Sequence, residues 1–83
     1  MRIYMQTPPQ EDDSLRFCQL LLQQDLLGGW TLVREMGRQG AAGRIRREHF
    51  DDRSEAIDAL MALREQQVRR GFRVVYAEGA PPR

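Results

Sequence analysis

Polar and apolar positions alternate from the first residue, with Met1, Ile3 and Met5 separated by Arg2, Tyr4 and Gln6. That is the period of a half-buried strand, and Pro8-Pro9 stops it. Leu15 to Leu22 is apolar on both sides, so alternation is blurred; Asp25 and Gly28-Gly29 bracket it as a strand and turn, with helix as the competing assignment. In Trp30-Thr31-Leu32-Val33-Arg34-Glu35-Met36 the alternation returns, placing Trp30, Leu32, Arg34 and Met36 on one face and Thr31, Val33 and Glu35 on the other. A glycine-punctuated turn through Gly40-Ala41-Ala42-Gly43 then leads back into Arg44-Ile45-Arg46-Arg47-Glu48-His49-Phe50, a hairpin that lays two basic stretches side by side.

The period changes at Asp52-Arg53-Ser54-Glu55, where a carboxylate with a Glu three residues on resembles a capping box and Ser54 is the rival cap. From Ser54 to about Arg70, Ala56, Ile57, Leu60, Met61, Leu63 and Val68 fall on one broad helical face suited to covering a sheet. Arg69 and Arg70 suit the negative end of the helix dipole, and Gly71 offers a left-handed cap. Phe72 to Ala77 reads as a last strand able to pair with the first. The expected fold is therefore α+β, an antiparallel sheet of four to five strands with a single helix packed on one face. The expected division is residues 1–14 as an N-terminal strand and acidic loop, 15–73 as the main domain, and 74–83 as a last strand and flexible tail.

A chain of 83 residues supports one core and leaves little room for a large internal cofactor pocket. No apolar run approaches the ~20 residues of a membrane-spanning helix, and the N-terminus has no cleavable leader pattern, so a soluble, cytoplasmic protein without membrane contact is expected. Cys18 and His49 are the only residues of their types, which excludes an internal disulfide and the common zinc cages. Cys18 lies among apolar neighbours and reads as core; His49, between Glu48 and Phe50, reads as a half-buried sheet residue, and Trp30 as packing. With no convergent catalytic spacing, no enzyme, cofactor, metal or small-molecule substrate is expected.

Charge separates one segment from the rest. All 13 basic residues are arginine, yet the net charge is only +1. Residues 34 to 47 hold Arg34, Arg38, Arg44, Arg46 and Arg47 against Glu35 alone, together with Gly37, Gly40 and Gly43. Arginine forks beside glycines that admit close backbone approach suit an anion. The plainer alternative is a flexible, solvated hairpin whose arginines serve solubility or pair with Glu48, Asp51 and Asp52.

The stretch Gly28-Gly29-Trp30-Thr31-Leu32-Val33-Arg34-Glu35-Met36-Gly37-Arg38-Gln39-Gly40 resembles the WGR domain, named for its Trp-Gly-Arg signature. Gly43 to Phe50 is similar to the family's second basic strand, and Glu55-Ala56 through Val68-Arg69-Arg70-Gly71-Phe72 to its helix and closing Gly-aromatic pair, so that about residues 15 to 73 match. Met36 stands where the family's Trp is expected, and Gln67 where many members carry a lysine. The resemblance implies an antiparallel sheet with one helix and a DNA-binding role, since in poly(ADP-ribose) polymerases this domain helps hold DNA ends. It further implies a stand-alone bacterial member, with no catalytic or zinc-finger domain alongside. Carried over by position, Gly37 and Arg38 match the functional motif, and Met36 keeps apolar contact without a stacking ring.

Two functional expectations result. In the first, a DNA-binding module contacts phosphates of a duplex or its ends through Arg34, Met36, Gly37, Arg38, Gly40, Arg44 and Arg46, with little base readout. In the second, the same hairpin docks an acidic protein partner as an adaptor.

Overall fold

The alternating segments become strands that share one sheet. In the computed structural model, which describes residues 1–8 and 15–79, the elements in chain order are β1 (Arg2–Gln6), β2 (Arg16–Gln24), β3 (Trp30–Arg38), β4 (Arg44–Phe50), α1 (Arg53–Arg69) and β5 (Arg73–Glu78). The sheet is five-stranded in the order β4-β3-β2-β1-β5, with every pairing antiparallel. The fold is thus α+β with one helix, as the periodicity implied. The acidic loop and the end of the tail, at residues 9–14 and 80–83, lie outside the described residues.

β1 runs between β2 and β5, which sets the first and last strands side by side and carries the sheet past residues 15 and 73 on either side. Ile3 and Met5 accordingly sit in the core with Cys18, Leu20, Leu22, Leu32, Ala56, Leu60 and Phe72. β2 pairs on both edges, which excludes the helical alternative for Leu15 to Leu22. Its mixed signal has a physical source: Cys18, Leu20 and Leu22 enter the core while Leu21 is half-buried on the other face.

Asp52 is the N-cap, in extended backbone geometry, and its Oδ1 accepts from the Ser54 amide at 3.3 Å. Ser54, the rival cap, instead donates its hydroxyl to Asp52 Oδ2 at 3.4 Å. At the other end Gly71 takes φ +100°, its amide donates to Val68 O and that of Phe72 to Gln67 O, each at 3.0 Å. This 6→1, 5→2 pair is a Schellman stop, and it needs a residue without a Cβ at Gly71.

The helix packs against β2, β3 and β4. Its inward line is Ala56, Leu60 and Gln67, with Leu63 half-buried between them. Val68, expected on that face, is instead 41% exposed and Gln67 is 1% exposed. The spacing explains the exchange: 56, 60, 63 and 67 return to one side of a 3.6-residue helix, whereas 68 lies about 100° further round. Among the described residues no helix is long and apolar enough to cross a membrane.

Candidate nucleic-acid interface

The arginines of β3 and β4 are aligned by strand register. Arg34 lies directly opposite Arg46, and Met36 opposite Arg44. Directly opposed residues share a face, and here it is the helix-bearing one, since Leu32 on the same side of β3 is core. The C-terminal end of α1 closes this corner. Arg34, Met36, Arg44 and Arg46 from the sheet meet Gln66, Gln67 and Arg70 around a hollow of about 270 Å³.

A second hollow, of about 360 Å³, adjoins the first through shared Met36 and Arg70. Its other walls are Thr7, Arg16, Phe17, Gly37, Arg38 and Phe72. Register again explains the grouping, because Arg16 of β2 is directly opposite Arg38 of β3. The two hollows together present Arg16, Arg34, Arg38, Arg44, Arg46 and Arg70 on one end of the molecule.

None of these six takes part in an ion pair among the described residues, where the pairs are His49–Asp25, His49–Asp51 and Arg64–Glu65. Direct ion pairs of the hairpin arginines with Glu48, Asp51 or Asp52 are thus not formed, although Glu48 shares a neighbouring hollow with Arg34, Arg46 and Arg47. Like charges directly across a ladder are destabilising, so the Arg34–Arg46 pair favours an anion between or above them. Gln67 adds to the polarity of the hollow, its buried Oε1 having no hydrogen-bond partner among the described residues.

Six of the seven expected site residues, Arg34, Met36, Gly37, Arg38, Arg44 and Arg46, line the two hollows. Gly40 does not. It lies in the exposed turn after β3 with φ +84°, and nothing stands within 4 Å of where its Cβ would be. Its requirement is conformational. Gly37 is needed for internal fit, since a Cβ there would come 2.9 Å from Gly43 Cα and 3.3 Å from Phe17 Cε1. The close approach inferred for a partner's backbone is made by the chain itself.

Arg16 and Arg70 line the hollows too, and strand patterning did not point to them. Arg70 reads as a dipole-compensating helix end, and Arg16 as an isolated charge; only the β2–β3 register and the point where α1 stops bring them to Arg38 and Arg34.

Cys18 is fully buried beneath this face, and burial pushes its thiol up to about 11 against the opposing pull of the Arg34 charge. His49 is exposed rather than half-buried, at the far end of the hairpin. Its Nε2 is 3.0 Å from Asp51 Oδ1 and its Nδ1 2.7 Å from Asp25 Oδ2, and these carboxylates raise its pKa above the ordinary 6.5. Asp25 is held below its usual range, first by the Gly29 amide, against the opposing effect of burial, and then by the Leu27 amide and His49. This network braces the β2–β3 turn. Trp30 is packed against the core with the Arg53 guanidinium 5.4 Å from its ring centroid, a cation–π contact. Among the described residues no three His, Cys, Asp or Glu side chains converge as a metal site requires.

The fold is thus a single-helix antiparallel sheet with six arginines gathered around two adjoining hollows, none of them in an ion pair among the described residues. The profile of the WGR domain matches residues 1–78, and the chain belongs to that family, one generally made up of nucleic-acid-binding modules. Neither a search of curated proteins nor one of solved structures returns a match.

Proposed function

We propose that this chain is a DNA-binding module that holds the phosphate backbone across the two arginine hollows and acts by binding, not by catalysis. The observation that carries the reading is the directly opposed Arg34–Arg46 pair, in no ion pair among the described residues and flanked by Arg44 and Arg70. Planar guanidinium forks match phosphate oxygens bidentately. Such contacts go to the backbone rather than to base edges, so base readout is slight and affinity comes from counterion release. Engagement of roughly three or four phosphates gives a log-log salt slope of about −3 to −4 on duplex DNA. Fluorescence anisotropy of labelled blunt duplex, nicked duplex and single strand at two salt concentrations, with Arg38→Ala alongside, tests this. Salt-dependent binding lost in the variant supports it, and a flat salt response contradicts it.

One observation favours a protein contact as well. Leu26 and Leu27 are 103% and 91% exposed at the tip of the β2–β3 turn, where Asp25 Oδ1 accepts from the Leu27 and Gly29 amides at 2.9 Å each. Two leucines held out on a rigid turn suit an apolar pocket on a partner. Their place at the opposite end of β3 from Arg38 makes the two contacts compatible. A partner bound there stays bound under excess duplex, whereas an acidic protein seated on the arginines is displaced.

A further inference from the structure

The face of the sheet opposite the helix carries a line of rings. Ile3 and Met5 enter the core, so Tyr4 between them points the other way, and Phe17 does the same beside Cys18. Tyr76 lies directly opposite Tyr4 across the β1–β5 pairing and shares its face. The three rings therefore run over β2, β1 and β5, diagonally from Phe17 to Tyr4 and directly across from Tyr4 to Tyr76. Tyr4 and Phe17 are already stacked, with centroids 6.1 Å apart and planes 15° from parallel, and Tyr76 is 47% exposed. Of the described elements, none packs on this face, because α1 contacts β2, β3 and β4 from the other side.

We propose that this open face binds single-stranded nucleic acid by stacking bases on Phe17, Tyr4 and Tyr76. Amides stand next to the rings: Gln19 is directly opposite Tyr4, and Gln6 donates from Nε2 to the Tyr4 hydroxyl at 3.2 Å. Such groups reach base edges once a base is stacked. Arg2 and Arg73 bracket the Tyr4–Tyr76 pair on the same face, Arg2 two residues from Tyr4 and Arg73 opposite Gln6. Glu78, directly opposite Arg2, accepts from the Tyr76 hydroxyl at 2.7 Å and offsets Arg2 in that corner, which leaves Arg73 as the cation beside the rings. Alternating rings, amides and arginines are the parts of a stacking platform with an electrostatic track.

The platform is also continuous with the arginine face. Phe17 lines the larger hollow together with Arg16, Arg38 and Arg70, so one cavity turns the end of the sheet at Gly37 and joins its two sides. Gly37 allows this, since the Phe17 ring lies over the position of its missing Cβ. A strand leaving a duplex held on the arginines passes round that end onto Phe17, then Tyr4, then Tyr76. The duplex contact is the reading proposed above; the platform stands or falls separately from it.

The test is anisotropy of a labelled oligothymidylate of roughly ten nucleotides, within the usual site size of such platforms, against native protein, Tyr76→Ser and Tyr4→Leu. Blunt duplex binding by each is measured alongside. The native chain binds the single strand, and each variant weakens it about tenfold, in line with the loss of one base–ring stack, while blunt-duplex affinity is unchanged. Tyr76 is exposed on the edge strand, so Tyr76→Ser decides the matter even if Tyr4→Leu disturbs folding. Absence of single-strand binding by the native chain, or equal binding by the native chain and Tyr76→Ser, overturns the proposal. If blunt duplex fails to bind while ring-dependent single-strand binding persists, the arginine reading falls and the platform stands.

Discussion

Replacing Arg70 by Gln separates a phosphate contact from a structural charge. Arg70 is the C-cap of α1, but the cap is made by its backbone N–H, which bonds to Gln66 O and Gln67 O, and glutamine performs that equally well. Its side chain lines both hollows, so its loss removes a guanidinium from each. One phosphate contact fewer lowers the magnitude of the log-log salt slope by ~0.9. Loss of one hydrogen bond to a charged group, worth ~1.5–3 kcal/mol, weakens binding at low salt by roughly 10- to 150-fold. Arg69→Gln is the control. It removes the same charge from the same helix end, with a similar dipole penalty of ~0.3–1 kcal/mol in stability, but Arg69 lines neither hollow. Duplex titrations over a range of salt, with urea denaturation of both variants, provide the comparison. If Arg69→Gln and Arg70→Gln shift the slope and affinity equally, the effect is overall charge and the arginine hollows are not the site.

Arg46→Thr relieves the repulsion with Arg34 across the ladder, so urea denaturation at low salt finds the domain more stable by about 0.2–1 kcal/mol, with the gain fading at high salt and duplex binding weakened. A loss of stability instead means that Arg46 is making an attractive contact. Gly37→Ala forces a Cβ to within 2.9 Å of Gly43 Cα and is destabilising by ~1–3 kcal/mol; an unchanged denaturation midpoint contradicts that close approach. His49 has its pKa raised from 6.5 by Asp51 and Asp25, so its contribution to stability is complete below about pH 6.5 and is lost as pH climbs through the raised value. The melting temperature therefore falls from pH 6 toward 8.5 and does so less steeply in His49→Gln; parallel curves would falsify the ionic role of this histidine. Cys18, fully buried with its thiol pushed up to about 11, reacts with a thiol reagent only on unfolding, and rapid labelling of the native chain contradicts its place in the core.

The sequence was most readable where one physical rule acted alone. β1 has apolar residues on one face only and showed clean alternation, and the Asp52 and Gly71 caps marked the helix ends within a residue. β2 was ambiguous because a central strand with Leu21 half-buried on its second face loses the polar positions that define the period. Gln67 and Val68 exchanged roles because a broad apolar face does not by itself fix the rotation of a helix. The hairpin arginines were visible as a local charge excess and the turn set the two basic stretches side by side, but Arg34 opposite Arg46 came only with the strand register. Arg16 and Arg70 were not visible, since they belong to segments far apart in the chain and become neighbours of Arg38 only through sheet order and helix length. The ring line was hidden for the same reason: Tyr4 and Phe17 are joined through the β1–β2 pairing, and Tyr76 reaches them through a pairing with a register shift at Tyr4/Met5.

The most direct test of the arginine face is a titration of isotope-labelled protein with blunt duplex DNA, following backbone amide and arginine Nε–Hε resonances by nuclear magnetic resonance. The expected result is that shifts concentrate at Arg16, Arg34, Arg38, Arg44, Arg46 and Arg70, with Gly71 and Phe72, and leave Leu26 to Gly29 unmoved. Shifts confined to the Leu26–Gly29 turn, or none at low salt, would contradict a phosphate-binding role for this face.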